Sequence, residues 1–224
     1  MNDGDIAAVI PALNEEATIG EVVEEVRRYV DNVVVVNDGS SDQTASIARE
    51  AGATVITHNK NLGYDRSIEH GFEDAIKNGA TVVITFDADG QHIADDIPSI
   101  LEPIQAGTAD VVVGRRPTRS RVSEQFFALY ASYRLGISDP LCGFKAYTAE
   151  VYRDIGHFDE HKTIGTQLTF EARKMGYTIE EVNVSIADRV DDPRFGQQLE
   201  ANMKILAGLC RLIIFDLTTT HSPN

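Results

Sequence analysis

Two carboxylates one residue apart, Asp87 and Asp89, follow the apolar part of the run Thr-Val-Val-Ile-Thr-Phe-Asp-Ala-Asp-Gly-Gln-His at residues 81–92. Such a pair repels itself and any anion unless a cation sits between the acids. Hard divalent cations such as Mg²⁺ take oxygen ligands and bridge a few carboxylates to a substrate's phosphates. Gln91 adds a neutral amide oxygen that a hard cation accepts. Solvated acids in an Asp/Gly turn are the plainer alternative, and the pair alone does not exclude it. A second feature has the opposite sign: Arg115, Arg116, Arg119 and Arg121 fall within seven residues of a chain with net charge −15. A charge run is ordinarily a solvated face, but here the local sign opposes the global one. Guanidinium forks match phosphate oxygens, so the cluster reads as an anion site.

These residues need a frame. Apolar runs rich in β-branched residues predict strands over 6–10, 33–36, 54–57, 82–86 and 110–114. Helices are expected between them: from Thr18, with Ile19, Val22, Val23, Val26 and Val30 on one face; after a cap at Ser41 or Asp42; from Asn61-Leu62-Gly63 to Lys77; and over 94–105. Strands alternating with helices at this spacing mean βαβ units, hence an α/β fold with a mostly parallel central sheet flanked by helices. The turns Pro11–Glu16, Asn37–Asp42 and Asp87–Gln91 should then share one sheet edge. Beyond residue 114, the chain returns toward the sheet over 139–147, with a helix over 163–174, a strand over 178–185 and a helix over 197–217. No element is assigned between Gly114 and Asp139. In the last helix Leu199, Met203, Leu206, Cys210, Ile213 and Leu217 repeat at helical spacing, widened by Ile205, Leu209 and Leu212. Docking on the core or on a dimer partner is favoured over lying on a membrane surface.

At 224 residues the chain is one large or two small domains. Its acidity argues against nucleic acid as a partner, because phosphate neutralisation needs clustered Lys and Arg. Arg outnumbers Lys fourteen to six against 35 acids, which suits solubility in high salt and a halophilic source. Cys142 and Cys210 are too few for a disulfide framework, so a reducing cytoplasm fits, and Cys142 reads as a packed residue rather than a nucleophile. No signal peptide pattern and no stretch of about 18 apolar residues is present. His58, His70, His157 and His161 lack paired metal-site spacing and read as structural or surface residues.

Pro-Ala-Leu-Asn-Glu-Glu (11–16), Val-Val-Asn-Asp-Gly-Ser-Ser-Asp-Gln-Thr (35–44), Asn-Leu-Gly-Tyr (61–64) and Phe-Asp-Ala-Asp-Gly-Gln-His (86–92), in that order, resemble family 2 glycosyltransferases of the GT-A fold. The likeness covers residues 6 to about 114 closely. Val-Gly-Arg-Arg (113–116), Asp-Pro-Leu-Cys-Gly-Phe-Lys-Ala-Tyr (139–147) and Ile-Ala-Asp-Arg (186–189) are similar to the dolichyl-phosphate sugar synthase branch. The resemblance implies a single Rossmann-like GT-A domain over 1–224, with a nucleotide-sugar-binding half (1–114) and an acceptor-binding half (115–224) that includes the last helix. It implies a donor site at Pro11, Glu15, Asp38 and Asp87, and Mg²⁺ or Mn²⁺ on Asp87, Asp89 and Gln91. Arg116, Arg119, Arg121 and Arg189 are assigned to an acceptor phosphate, and Asp89, Arg116 and Arg189 to catalysis. Asp38 could equally be a turn acid satisfying backbone N–H groups. The implied activity is inverting transfer of a sugar from a nucleoside diphosphate to a polyprenyl (dolichyl) phosphate at the cytoplasmic membrane face, by a peripheral protein without a transmembrane segment. A homo-oligomer stays open. The alternatives are a hydroxyl acceptor on a saccharide or lipid, or an inactive nucleotide-sugar binding module.

Hydroxyl-acceptor members of the family generally place an acidic base at the start of the helix before the late strand. This chain has Gln167 there, with Asp139 or Glu171 as substitutes. It departs from the branch in two places: the segment after Gly114 is short, and Asp191-Asp192-Pro193-Arg194 replaces a Gly-Glu-Ser-Lys-like stretch, which leaves Arg194 without a role.

Overall fold

The computed structural model describes residues 5–117, 122–187 and 195–218. Seven strands form one sheet in the order β3-β2-β1-β4-β6-β5-β7. They are β1 (Ile6–Ala12), β2 (Asn32–Asn37), β3 (Thr54–Thr57), β4 (Val82–Thr85), β5 (Val111–Arg115), β6 (Lys145–Thr148) and β7 (Ile179–Asn183). Pairing is parallel except at β6, which runs antiparallel to both β4 and β5. Successive strand residues face opposite sides, so each strand feeds two cores. Ala7, Val9, Val34 and Val36 pack with α3 (Tyr64–Lys77), α5 (Val122–Leu135), α7 (Gln167–Lys174) and α8 (Phe195–Thr218). Ala8, Ile10, Val33 and Val35 pack with α1 (Ile19–Val26), α2 (Thr44–Glu50) and α4 (Ile97–Gln105).

The winding positions the site. From β1 the chain steps outward to β2 and β3, then returns to the opposite flank of β1 as β4. Order reverses between β1 and β4, and open α/β sheets bind ligands at the carboxyl ends of strands at such a switch point. The turns after β1, β2 and β4 do share that edge.

Three sequence expectations are refined. Helix α5 fills much of the stretch between Gly114 and Asp139. It is apolar nearly all round, so its period is faint. A short α6 (Ala149–Ile155) follows β6 directly and was not foreseen. The helix expected from Thr163 starts only at Gln167, because the preceding loop turns left-handed at Lys162 (φ 56°), Ile164 (φ 61°) and Gly165 (φ 64°). Asp159 holds that loop, accepting from Thr163 N and Oγ1 and from Gly165 N at 2.8–3.0 Å.

No helix among the described residues is long and apolar enough to cross a membrane. Helix α8 docks through Ile205, Leu209, Leu212 and Phe215, while Met203, Leu206, Cys210, Ile214 and Leu217 face outward. The repeat read from sequence is thus largely the exposed stripe, and the residues that widened it make the contact. Asp216 anchors this helix, accepting from Arg134 Nε (2.6 Å) of α5 and Lys174 Nζ (3.1 Å) of α7. Burial alone would raise its pKa, but these cations and the Tyr130 hydroxyl hold it below the ordinary carboxylate value. A depressed folded pKa gives stability that is present above the unfolded value and lost as pH falls through the folded one. Asp216→Ala is expected to cost about 3 kcal/mol in denaturant titrations, the low end for breaking a buried pair because Arg134 is partly exposed. Asp216→Asn should flatten part of the stability loss below about pH 4, and an unchanged acid limb would refute the assignment.

Candidate functional site

Turn chemistry joins the first two loops. Asn14 sits at φ 57°, which a short polar side chain tolerates. Its N–H donates to Ser40 Oγ and its Oδ1 accepts from Ser41 N, both at 2.9 Å. Glu15 N donates to Thr44 Oγ1 at 2.8 Å and Gln43 N to Glu16 Oε2 at 3.0 Å. Pro11 sits inside β1 itself, paired with Val36.

Asp38 is buried and accepts from Leu62 N (2.7 Å), Gly63 N (2.8 Å) and His58 Nδ1 (2.7 Å). These are the bonds of a turn acid, and they pin Asn61-Leu62-Gly63 beside β2. A carboxylate offers about four lone-pair sites, so roughly one remains for a ligand. His58 Nε2 in turn accepts from His70 Nδ1 at 2.8 Å, a chain that individual histidine spacing did not reveal.

At the end of β4, His92 Nε2 donates to Asp87 Oδ2 at 3.0 Å. His92 is 5% exposed, with the rings of Phe86 and Phe144 at 5.6 and 5.4 Å. It therefore orients Asp87, a role the sequence did not signal. Gly143 lies against the same carboxylate: a Cβ there would fall 2.2 Å from Asp87 Oδ2. Gln91 N donates to Asp89 Oδ1 at 3.1 Å, and Gln91 O accepts from Ala187 N at 2.9 Å. The turn is thereby tied to the segment after β7. Arg189, two residues beyond Ala187, and Arg119, Arg121 and Arg194 lie outside the described residues.

The acids crowd one another. Burial raises the Glu15 pKa, and the charges of Asp89, Asp42 and Asp87 raise it further against a bond from Thr18. Among the described residues no three His, Cys, Asp or Glu side chains form a ready cage for a metal. The donor set of Asp87, Asp89 and Gln91 nevertheless fits a hard divalent ion. Mg²⁺ in particular is held by one or two carboxylates and leaves its other positions to water and phosphate. The Glu15 pKa is raised chiefly by burial, with the neighbouring acids adding to it, and a cation among them would ease that smaller part.

The arginine cluster is only partly seen. Arg116 donates through Nε (2.7 Å) and Nη2 (2.8 Å) to Asp139, which is 1% exposed, and lies 3.6 Å from Glu124. Burial would lower its pKa, but the Asp139 bonds and charge outweigh this, and Arg116 stays charged. Arg115 Nε donates to Asn183 Oδ1 at 2.7 Å. Both line an open cavity of about 660 Å³ with Gln125 and Ser138. Cys142 is buried and its thiol is pushed up to about 12, so it packs rather than reacts.

Gln167 is wholly buried and fully used. Its Nε2 donates to Glu171 Oε1 (2.7 Å) and His157 Nε2 (2.8 Å). Its Oε1 accepts from Glu160 N (2.9 Å), His161 N (3.0 Å) and His161 Nδ1 (3.1 Å).

The sequence profile of Glycosyl transferase family 2 matches residues 7–173. A dolichyl-phosphate hexose transferase of Haloferax volcanii is 32% identical over 202 residues, covering 85% of this chain and 86% of that protein. A polyprenol monophosphomannose synthase of Mycolicibacterium smegmatis is 27% identical, covering 81% of this chain and 77% of that protein. Glucosyl-3-phosphoglycerate synthase of Mycobacterium tuberculosis, solved with Mn²⁺, uridine diphosphate and glucosyl-3-phosphoglycerate, superposes with a TM-score of 0.72 at 20% identity. That match covers 93% of this chain and 80% of the other, and it shows the fold. By sequence and by architecture, this chain belongs to glycosyl transferase family 2, built on the GT-A fold.

Proposed function

We propose that the chain transfers a sugar from a nucleoside-diphosphate donor to the phosphate of a polyprenyl lipid, with inversion at the anomeric carbon. The observation that carries this is the absence of a free base among the acids expected to supply one. A sugar hydroxyl needs a positioned general base near neutral pH. Gln167 is an amide with every bond taken, Glu171 is buried against it, and Asp139 is clamped by Arg116. A phosphate monoester has its second pKa near ~6 and attacks without a base. Relatives named for dolichyl and polyprenol phosphates support the same acceptor.

In this reading residues 1–114 hold the donor and the remainder holds the acceptor. Pro11, Glu15, Asp38 and Asp87 line the nucleotide side, and Asp38 contributes chiefly by fixing the Leu62–Gly63 backbone. Asp87, Asp89 and Gln91 hold a divalent ion, Mg²⁺ or Mn²⁺, which when bound takes up charge on the departing diphosphate as a Lewis acid. Arg116, Arg119, Arg121 and Arg189 offset the acceptor's charge. For Arg116 this is limited to donors not committed to Asp139.

A lipid acceptor also gives a use to two uncovered stripes. Helices α5 and α8 pack together. Val122, Phe126, Leu129 and Tyr133 are exposed on one face of α5, and Met203, Leu206, Ile214 and Leu217 on one face of α8. We assign this surface to peripheral contact with a bilayer at its cytoplasmic face, where an amphipathic helix buries its apolar side. Leu129→Glu with Leu217→Glu should abolish co-sedimentation with polyprenyl-phosphate vesicles while leaving transfer to a short water-soluble polyprenyl phosphate intact. Unchanged vesicle binding would remove the assignment.

One observation favours the runner-up, a hydroxyl acceptor. Burial and then the charge of Asp159 push the Asp65 carboxyl up to about 6, and its Oδ1 is buried without a partner. The discriminating experiment offers a short polyprenyl phosphate, the matching polyprenol and simple saccharides to wild type and Asp65→Asn. Transfer to the phosphate by both proteins is expected. Transfer only to a hydroxyl, lost in Asp65→Asn and rising through about pH 6 in wild type, would replace the proposal.

Metal use is tested separately. EDTA and Asp89→Ala should each abolish transfer, and full activity after either excludes the ion. Gly143→Ala would press on the whole Asp87 carboxylate, its Cβ falling 2.2–2.7 Å from Oδ2, Oδ1 and Cγ, so a stability cost of about 1–3 kcal/mol is expected in denaturant titrations. Transfer should nevertheless fall at least tenfold, and a fully active Gly143→Ala enzyme would mean that the Asp87 position is not critical.

A further inference from the structure

Lys145 has no part in the scheme above. It opens β6 directly opposite Thr85 of β4, and Asp87 lies two residues beyond Thr85 on the same strand line. The residue is 4% exposed, yet its ammonium makes one hydrogen bond among the described residues, to Gly165 O at 2.8 Å. An ammonium carries three donors. Lys145 lines a cavity of about 180 Å³ together with Tyr64, Thr85, Asp87 and Gly143. A buried cation with unspent donors is costly unless a ligand uses them. The cavity adjoins the carboxylate assigned to the donor and has too little room for a nucleotide. Burial also pulls the Lys145 pKa down to about 8, which keeps the amine largely protonated near neutrality.

We infer that Lys145 is a specificity-determining contact for the transferred sugar, its ammonium donating to a ring hydroxyl in the cavity beside Asp87. This rests on the donor reading above. The competing role is structural: the Gly165 bond braces the left-handed loop at Ile164 and Gly165. A charge-assisted hydrogen bond is worth on the order of 10- to 100-fold in binding or rate.

The probes are the nucleoside-diphosphate sugar that most raises the wild-type Tm, the nucleoside diphosphate without sugar, and monodeoxy analogues of that donor. Lys145→Met is expected to lose roughly 10- to 100-fold in kcat/KM, with the Kd for the bare diphosphate unchanged. One monodeoxy donor should show the same loss with wild type and no further loss with Lys145→Met. A bracing role predicts equal deoxy losses in both proteins, with diphosphate and sugar-nucleotide binding weakened together, and that result overturns the inference. The wild-type series does not depend on any variant folding: if no monodeoxy donor loses tenfold, the contact does not exist. Lys145→Arg, which keeps a cation and a donor to Gly165 O, should fold and still change the ranking of the monodeoxy donors. An unaltered ranking overturns the inference. Wild type that neither binds nor uses any sugar nucleotide brings down the donor reading, and this inference with it.

Discussion

Negative charge concentrated at one edge of the sheet is the constraint on which the rest of this structure depends. Glu15, Asp38, Asp87 and Asp89 all arise from turns at the carboxyl ends of β1, β2 and β4, and like charges so placed oppose folding unless each is met. The chain meets them by different means. Backbone N–H groups and His58 absorb Asp38, and His92 fixes one oxygen of Asp87. Glu15, partly buried and near the other acids, has a pKa raised by burial first and by their charges second. Pairing every acid with a lysine would have filled the crevice, whereas amide and imidazole N–H groups bond these acids without adding long side chains there.

The second half follows a complementary logic. Its buried acids are bound to specific partners: Asp139 to Arg116, Asp159 to the Thr163–Gly165 backbone, Asp216 to Arg134 and Lys174. Each bond joins segments that are distant in sequence or holds a loop in a shape its residues resist. Ile164 is a β-branched residue at positive φ, which persists only where the surroundings over-determine it. Asp159 and the Lys145–Gly165 bond supply that support from two sides of the loop. Rigidity in the second half thus comes from ion pairs and brackets, and in the first half from turn geometry.

Legibility in the sequence tracks how local each feature is. The first five strands carry short apolar runs, mostly β-branched, and Asp-x-Asp, Asn-Asp-Gly-Ser and Asn-Leu-Gly each encode a turn within a few residues, so the α/β frame and its loaded edge could be read directly. His92, Gly143 and Lys145 could not. Gly143 and Lys145 matter because β6 lies antiparallel against β4, a pairing between residues about 60 apart that leaves no periodic trace, and His92 bonds Asp87 across a turn whose spacing has no sequence signature. His58 looked isolated because its partner Asp38 lies one strand away. Helix α5 escaped notice because both its buried and its exposed faces are apolar, and in α8 the stronger repeat belonged to the face that does not dock. Pattern reports apolar residues and not what covers them.

The insertion of β6 between β4 and β5 carries a consequence for the order of events during synthesis. Strands β1 to β4 need only neighbours already made, and short crossovers close them at modest entropic cost. β5 has no partner among them, because its place beside β4 is separated by a strand not yet translated. Until residue 148 has left the ribosome, β4 therefore remains an open edge, its hydrogen-bonding groups available to other chains. The same segment brings Gly143 against Asp87 and Lys145 into the wall of the cavity beside it. Closure of the edge and completion of the crevice are then one event, so a nascent chain has no finished site to offer while its sheet is still prone to mispairing.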